Sequence, residues 1–216
     1  MPISTNAEAF DSSPPASSSR FERNVAVFGS SSAAAGSGEY ALAEEIGALL
    51  ARRGCRVING GYGGVMEATA KGAREAVPDA QVRGIIVPSI FRRRPKHGND
   101  YLSDAFVAQS LVERLDHLTN DARVFIVLPG KIGTLTELML VWNQADLAHH
   151  IDAEPPLVIA FREPFEPIVI VCMEALEMSE QTRSLVRLVD TPEEAVTLAG
   201  EYLDEREERA KAVEGS

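Results

Sequence analysis

Three stretches of the chain combine small residues, hydroxyls and a following helical pattern in the way that anion binding requires. The most informative reads Leu128-Pro129-Gly130-Lys131-Ile132-Gly133-Thr134-Leu135-Thr136-Glu137. Free backbone amides and the positive end of the helix dipole make such a helix start a site for phosphate. Gly130, Lys131, Ile132, Gly133 and Thr134 are therefore candidate phosphate-binding residues. The second stretch, Gly60-Gly61-Tyr62-Gly63-Gly64, runs directly into Val65-Met66-Glu67-Ala68. Glycines there allow positive φ and close approach of backbone to a ligand. This is not the dinucleotide fingerprint, whose third glycine comes later and whose acidic ribose partner has no counterpart here. The third stretch, Gly29-Ser30-Ser31-Ser32, follows Val25-Ala26-Val27-Phe28 and offers hydroxyls and amides, although an ordinary polar turn explains it equally.

Two residues of the 128–137 stretch carry a competing explanation. Thr134 and Glu137 are spaced as a capping box, in which Thr caps the helix and Glu reaches back to the cap. That accounts for the pair but not for three small-residue loops at one sheet edge. Lys131 occupies a place where a positive φ would strain a side chain by about 1–2 kcal/mol, which a phosphate salt bridge would offset. The alternative is negative φ with the ammonium in solvent.

The elements that must position these loops follow from the hydrophobic pattern. Short, nearly continuous apolar runs at Asn24 to Phe28, Arg56 to Asn59, Val82 to Val87, Val124 to Leu128, Leu157 to Phe161 and Leu185 to Val189 read as strands buried on both faces. Between them, Glu39 to Arg53, Val65 to Ala76, Ser103 to Leu118, Thr134 to Ala148, Phe165 to Met178 and Pro192 to Arg209 read as helices. The alternation predicts an α/β fold: a single-domain, Rossmann-like, doubly wound parallel sheet over residues 24–209, with the three loops at strand C-terminal ends where ligands bind. Residues 1–23, rich in Ser, Ala and Pro, are expected to form a disordered leader, and residues 210–216 a flexible tail. The mixed charges from Asp204 to Arg209 suggest a fraying helix end.

At 216 residues, one core of ordinary size is expected. Hydrophobic residues make up 45% and charged residues 25%, which excludes disorder of the whole chain. The net charge of −11 disfavours nucleic acid and anionic membranes as partners and favours a small molecule. No run approaches a membrane span, no apolar signal segment opens the chain, and Cys55 and Cys172 read as reduced, packed thiols, so cytoplasmic residence is expected. His97, His117, His149 and His150 lack metal-ligand spacing, and neither a metal nor a cofactor is expected. Trp142 suits either base contact or packing. The basic run Arg92 to Lys96 is either a solvated loop or a phosphate-capturing one at the edge after the third strand.

The combination of Gly-Ser-Ser-Ser after the first strand, Gly-Gly-Tyr-Gly-Gly-Val-Met-Glu (Gly60 to Glu67, including Met66) and Pro-Gly-x-x-Gly-Thr-x-x-Glu resembles the LOG (Lonely Guy) family over roughly Asn24 to Val189. Members are often labelled possible lysine decarboxylases, whereas characterised ones cleave cytokinin riboside 5′-monophosphates to free base and ribose 5-phosphate. The resemblance implies a Rossmann-like homodimer without pyridoxal. It places the motif's glutamate on Glu137 and its phosphate-binding residues on Gly130, Gly133 and Thr134. The family's Met-x-x-Arg-Lys segment aligns with Leu111-Val112-Glu113-Arg114-Leu115, so its catalytic arginine falls on Arg114, while the lysine is replaced by Leu115 and the motif's second glycine by Lys131.

Cleavage of an N-glycosidic bond builds positive charge on the ribose, which a carboxylate stabilises while positioning water. Glu137 is the candidate, with Arg114 orienting it or holding phosphate or ribose. Pairing of Arg114 with Glu113 or Asp116 on a helix surface is the alternative. Pyridoxal chemistry needs a Schiff-base lysine; the chain has Lys71, Lys96, Lys131 and Lys211, and Lys131 sits among phosphate donors rather than in an evident cofactor pocket. Lysine decarboxylation is therefore rejected. The rival reading is a noncatalytic carrier or sensor of nucleotide or molybdenum cofactor.

Overall fold

The computed structural model describes residues 23–151 and 153–214. Seven parallel strands form one sheet in the order β4-β3-β2-β1-β5-β6-β7. They are β1 (Asn24–Phe28), β2 (Arg56–Asn59), β3 (Val82–Ile86), β4 (Asp104–Val107), β5 (Val124–Val127), β6 (Leu157–Phe161) and β7 (Val186–Val189). The helices are α1 (Gly38–Arg52), α2 (Val65–Ala76), α3 (Leu111–Asn120), α4 (Ile132–His150), α5 (Arg162–Ala175), α6 (Glu180–Ser184) and α7 (Pro192–Glu214). The expected leader lies almost wholly outside the described residues. Helix α7 runs on through most of the segment expected as a flexible tail, and Arg209 beyond its middle pairs with Glu154 at 2.7 Å.

Every residue of β1 is buried because helices cover both faces of the sheet. Val25 and Val27 point with Val57, Val124 and Ile126 into one core, closed by Ile46 and Leu50 of α1, Ala68 of α2 and Ala199 of α7. Ala26 and Phe28 point with Ile58, Phe125 and Val127 into the other, closed by Leu118 of α3, Leu138 and Trp142 of α4 and Phe165 of α5. Each fully buried large side chain contributes about 1.5–3 kcal/mol, so these faces hold the sheet between its helices. Trp142 belongs to this core: it is 2% exposed and its Nε1 donates to the Thr182 carbonyl at 2.8 Å.

Strand β4 corrects the expected helix from Ser103 to Leu118. Residues Asp104 to Val107 pair with β3 from Arg83 to Ile86, and their burial alternates as at a sheet edge. The run is four residues long with a charged first residue, so nothing in its composition distinguishes it from a helix turn. Asp104 fits the edge through ion pairs to Arg56 (2.8 Å) and Arg83 (3.1 Å). Helix α3 then starts at Leu111, where Ser110 accepts the Glu113 amide at 3.1 Å as its cap.

The sheet order reverses between β1 and β5, whose registers match from Val25–Val124 to Phe28–Val127. The chain winds outward from β1 to β4 and then returns to β5 on the other side. Loops leaving β1 and β5 consequently diverge above the sheet and open a crevice, the place where ligands enter such folds.

Candidate active site

A cleft of about 190 Å³ opens at this switch point. It is lined by Gly29 and Ser31 after β1, Gly60, Tyr62 and Met66 after β2, and Phe91 and Arg94 after β3. Arg114 of α3 and Lys131, Gly133, Thr134 and Glu137 at the start of α4 complete it. The three loops identified in the sequence therefore meet in one place. Ser30, Gly130 and the far side of Lys131 face a neighbouring depression with Glu39 and Glu163. Gly61, Gly63, Gly64 and Ile132 do not line the cleft, although Ile132 opens α4 and contributes a first-turn amide.

The frame is built by main-chain hydrogen bonds. The Ser30 amide donates to Pro129 O (3.0 Å), tying the β1 loop to the β5 loop, and the Val65 amide donates to Ser30 O (2.9 Å), tying the β2 loop to both. Gly64 has φ +71°, and a Cβ there would overlap the Ser30 carbonyl, so glycine is required twice over. A Cβ on Gly60 would strike the Arg114 guanidinium and the Met66 sulfur. Buried Asn59, at the end of β2, fixes this loop by accepting the Gly61 amide (2.8 Å) and donating to Met66 O (3.0 Å).

Arg114 is 7% exposed. Its Nε donates to Ile85 O at 2.9 Å and its Nη2 to Gly60 O at 3.4 Å, while Nη1 lies 3.8 Å from Glu137 Oε1. The surface pairing with Glu113 or Asp116 is replaced by this long-range pair, because Arg114 lies on the inward face of α3 and Glu113 is turned to the Gln109 amide instead. Burial lowers the Arg114 pKa, against the opposing pull of Glu137. Burial pushes the Glu137 carboxyl up to about 7, although Arg114 works in the other direction. Desolvation exceeds the attraction because the pair is 3.8 Å apart and makes no short hydrogen bond.

The capping-box alternative for Thr134 and Glu137 fails on position. Helix α4 begins at Ile132 with Lys131 as its cap, so Thr134 already lies within the first turn and is 3% exposed. Glu137 projects one turn later, into the cleft. Lys131 has φ −107°, so the strain expected of a positive φ is absent and the loop accepts a side chain there without penalty. Lys131 is exposed at the rim.

The sequence did not single out Tyr62, Phe91 or Arg94. The Tyr62 hydroxyl accepts the Val87 amide at 2.8 Å, and its ring meets Phe91 edge-on with centroids 5.3 Å apart. The Arg94 guanidinium lies over both rings, at 5.2 Å and 5.5 Å, and donates to Ser31 Oγ at 3.0 Å. The basic run was visible, but only the path of its loop selects Arg94 among Arg92, Arg93 and Lys96, which are exposed. With Arg114 and Lys131, three cations and one carboxylate line this cleft in a chain of net charge −11, and of the three Arg114 is the one paired with Glu137.

Comparison with known proteins places this arrangement in a family. The SLOG cluster4 family profile matches residues 22–196, most of the chain and all of the cleft. The chain belongs to the SLOG cluster4 family. Among relatives of this SLOG chain, a rice (Oryza sativa subsp. japonica) protein named cytokinin riboside 5′-monophosphate phosphoribohydrolase LOG is 29% identical over 195 residues, 88% of this chain and 77% of its own. A Mycobacterium tuberculosis protein named cytokinin riboside 5′-monophosphate phosphoribohydrolase is 34% identical over 119 residues, 55% of this chain and 60% of its own. Among solved structures, the molybdenum cofactor binding protein of Rippkaea orientalis superposes with a TM-score of 0.65 at 22% identity, covering 84% of the SLOG chain and 98% of that protein. That likeness establishes the Rossmann-like fold.

Proposed function

We propose that this protein hydrolyses the N-glycosidic bond of a nucleoside 5′-monophosphate, releasing free base and ribose 5-phosphate. The observation that carries the reading is the buried Arg114–Glu137 pair, facing the same cleft as the amide-rich start of α4. The phosphate belongs at Gly133 and Thr134, where unpaired first-turn amides and the helix dipole attract an anion. Gly29 and Ser31 approach it from the β1 loop and Lys131 from the rim. The ribose then lies toward Glu137, one turn further along α4.

As the C1′–N bond breaks, its electron pair leaves with the base and positive charge gathers on the sugar ring. The Glu137 carboxylate stabilises that charge and takes a proton from the attacking water, whose oxygen bonds to C1′. The proton then passes to the departing base. Arg114 holds the carboxylate in place and favours its ionised form.

A noncatalytic carrier is the second reading, favoured by the structural likeness to molybdenum cofactor binding proteins. Glu137 argues against it: a carboxylate inside an anion site weakens binding unless it serves chemistry. The relatives' names place cytokinin-type riboside monophosphates at the head of a substrate panel. Incubating the protein with nucleoside 5′-monophosphates and assaying ribose 5-phosphate tests the proposal, and tight binding without product would favour the carrier. Exposed Val171 and Leu176 at α5 support a homodimer, which light scattering tests. Two free cysteines fit residence in the reducing cytoplasm.

A further inference from the structure

Arg94 is held in an unusual way for a loop arginine. Its segment is tied at both ends to the glycine loop: the Val87 amide donates to the Tyr62 hydroxyl (2.8 Å), the Asn99 amide to Gly61 O (2.8 Å) and the Asn99 side-chain amide to Tyr62 O (3.0 Å). Between these ties the chain turns through successive bonds, Phe91 N to Val87 O (3.0 Å) and Arg94 N to Phe91 O (2.9 Å). This delivers the guanidinium over the Tyr62 and Phe91 rings and into the cleft.

Among the described residues no carboxylate pairs with Arg94; its polar contact is the Ser31 hydroxyl, a neutral acceptor. Arg114 lies against the same Phe91 ring, with Cζ 5.7 Å from its centroid, so two guanidinium groups share one aromatic side chain and repel each other. A planar fork of donors, preorganised by stacking and left without a counter-ion beside a phosphate loop, is suited to bind an oxyanion.

We propose that Arg94 is a specificity-determining residue that binds the ligand's phosphate, exchanging its bond to Ser31 for phosphate oxygens while it remains stacked on Tyr62 and Phe91. The proposal rests on the phosphate site described above, but not on hydrolysis. Arg94 closes the phosphate from the β3 side, opposite the start of α4, and thereby selects phosphorylated ligands over their nucleosides. It does not reach the reacting bond.

The test compares wild type, Arg94→Gln and Arg94→Lys by calorimetry with AMP, adenosine and inorganic phosphate. In Arg94→Gln, AMP and phosphate affinities should fall about tenfold or more, the scale of a charged hydrogen bond, while adenosine affinity stays within about twofold. Arg94→Lys should fall between the two, since it keeps charge but loses the fork. If the protein turns over AMP, KM should rise in Arg94→Gln with kcat within about threefold. Equal weakening of AMP and adenosine would indicate that Arg94 only shapes the cleft and overturn the proposal, as would unchanged AMP affinity. Binding without release of ribose 5-phosphate would overturn the hydrolase reading and leave the Arg94 comparison decisive.

Discussion

Replacing Glu137 by glutamine preserves the side chain's shape and removes its titration, which makes the consequences of its burial separable. The wild-type carboxyl titrates at about 7 in the folded protein against 4.5 as the ordinary value. If the ionised form performs the reaction, kcat/KM in wild type should rise about tenfold between about pH 6 and pH 8, because the ionised fraction goes from roughly one in ten to nine in ten. Glu137→Gln should lose that rise and about 10²–10⁴ in rate, the range for a positioned proton acceptor, with AMP affinity changed only a few-fold. Stability moves the other way. A carboxyl whose folded pKa is raised binds more protons folded than unfolded between 4.5 and about 7, so its destabilising effect is absent below that window and complete above it. From about pH 5 to pH 8 wild type should therefore lose about 2 kcal/mol relative to Glu137→Gln, or about 4–8 °C in Tm for a domain of this size. Thermal melts and initial rates over the same pH range check both. A stability difference that does not change with pH, or a mutant with normal turnover, would refute the assignment.

Other expectations follow from the same geometry. Arg114→Met should raise the Glu137 pKa further, so the alkaline-rising limb of the pH–rate profile moves upward while overall activity drops; an unmoved limb would show that the 3.8 Å pair is not coupled. Lys131→Gly should weaken AMP binding a few-fold at low salt and not at high salt, since its φ of −107° leaves no strain to relieve and its ammonium acts only through screened charge. Gly64→Ala should cost about 1–2 kcal/mol or more in chemical denaturation, from its left-handed φ and the collision with Ser30 O. Saturating AMP should raise Tm and adenosine much less, by mass action on the folded state.

The sequence revealed most where burial is symmetrical. Strands such as Val25-Ala26-Val27-Phe28 read as continuous apolar runs because helices cover both faces, and the glycine loops stand where those runs stop. Edge strand β4 escaped because only one side of it is paired and its four residues alternate weakly. Thr134 and Glu137 fit a capping box only if α4 started three residues later than it does; the start at Ile132 turns one side chain inward and sends the other into the cleft. Arg114 was legible through the family motif, but its partner, 23 residues away, depends on how α3 and α4 converge. Arg94 meets Ser31 across 63 residues, and no local spacing encodes that contact.

The bonds joining the loops of the cleft, Ser30 N to Pro129 O, Val65 N to Ser30 O and Asn99 N to Gly61 O, all run between main-chain atoms. Backbone atoms are common to every residue, so these three links do not depend on which side chains project beside them, although Asn59, Tyr62 and Asn99 reinforce them with side-chain bonds and Gly64 must carry none. Lys131, exposed at the rim, and the bonded pair Ser31 and Arg94 are therefore open to exchange without breaking these links, whereas Phe91 packs on Tyr62 and is not. A chain built this way can acquire a different ligand by surface substitution while its sheet, its crossovers and its buried ion pair stay as they are, and it is a practical starting point for redesigning which phosphorylated compound it accepts.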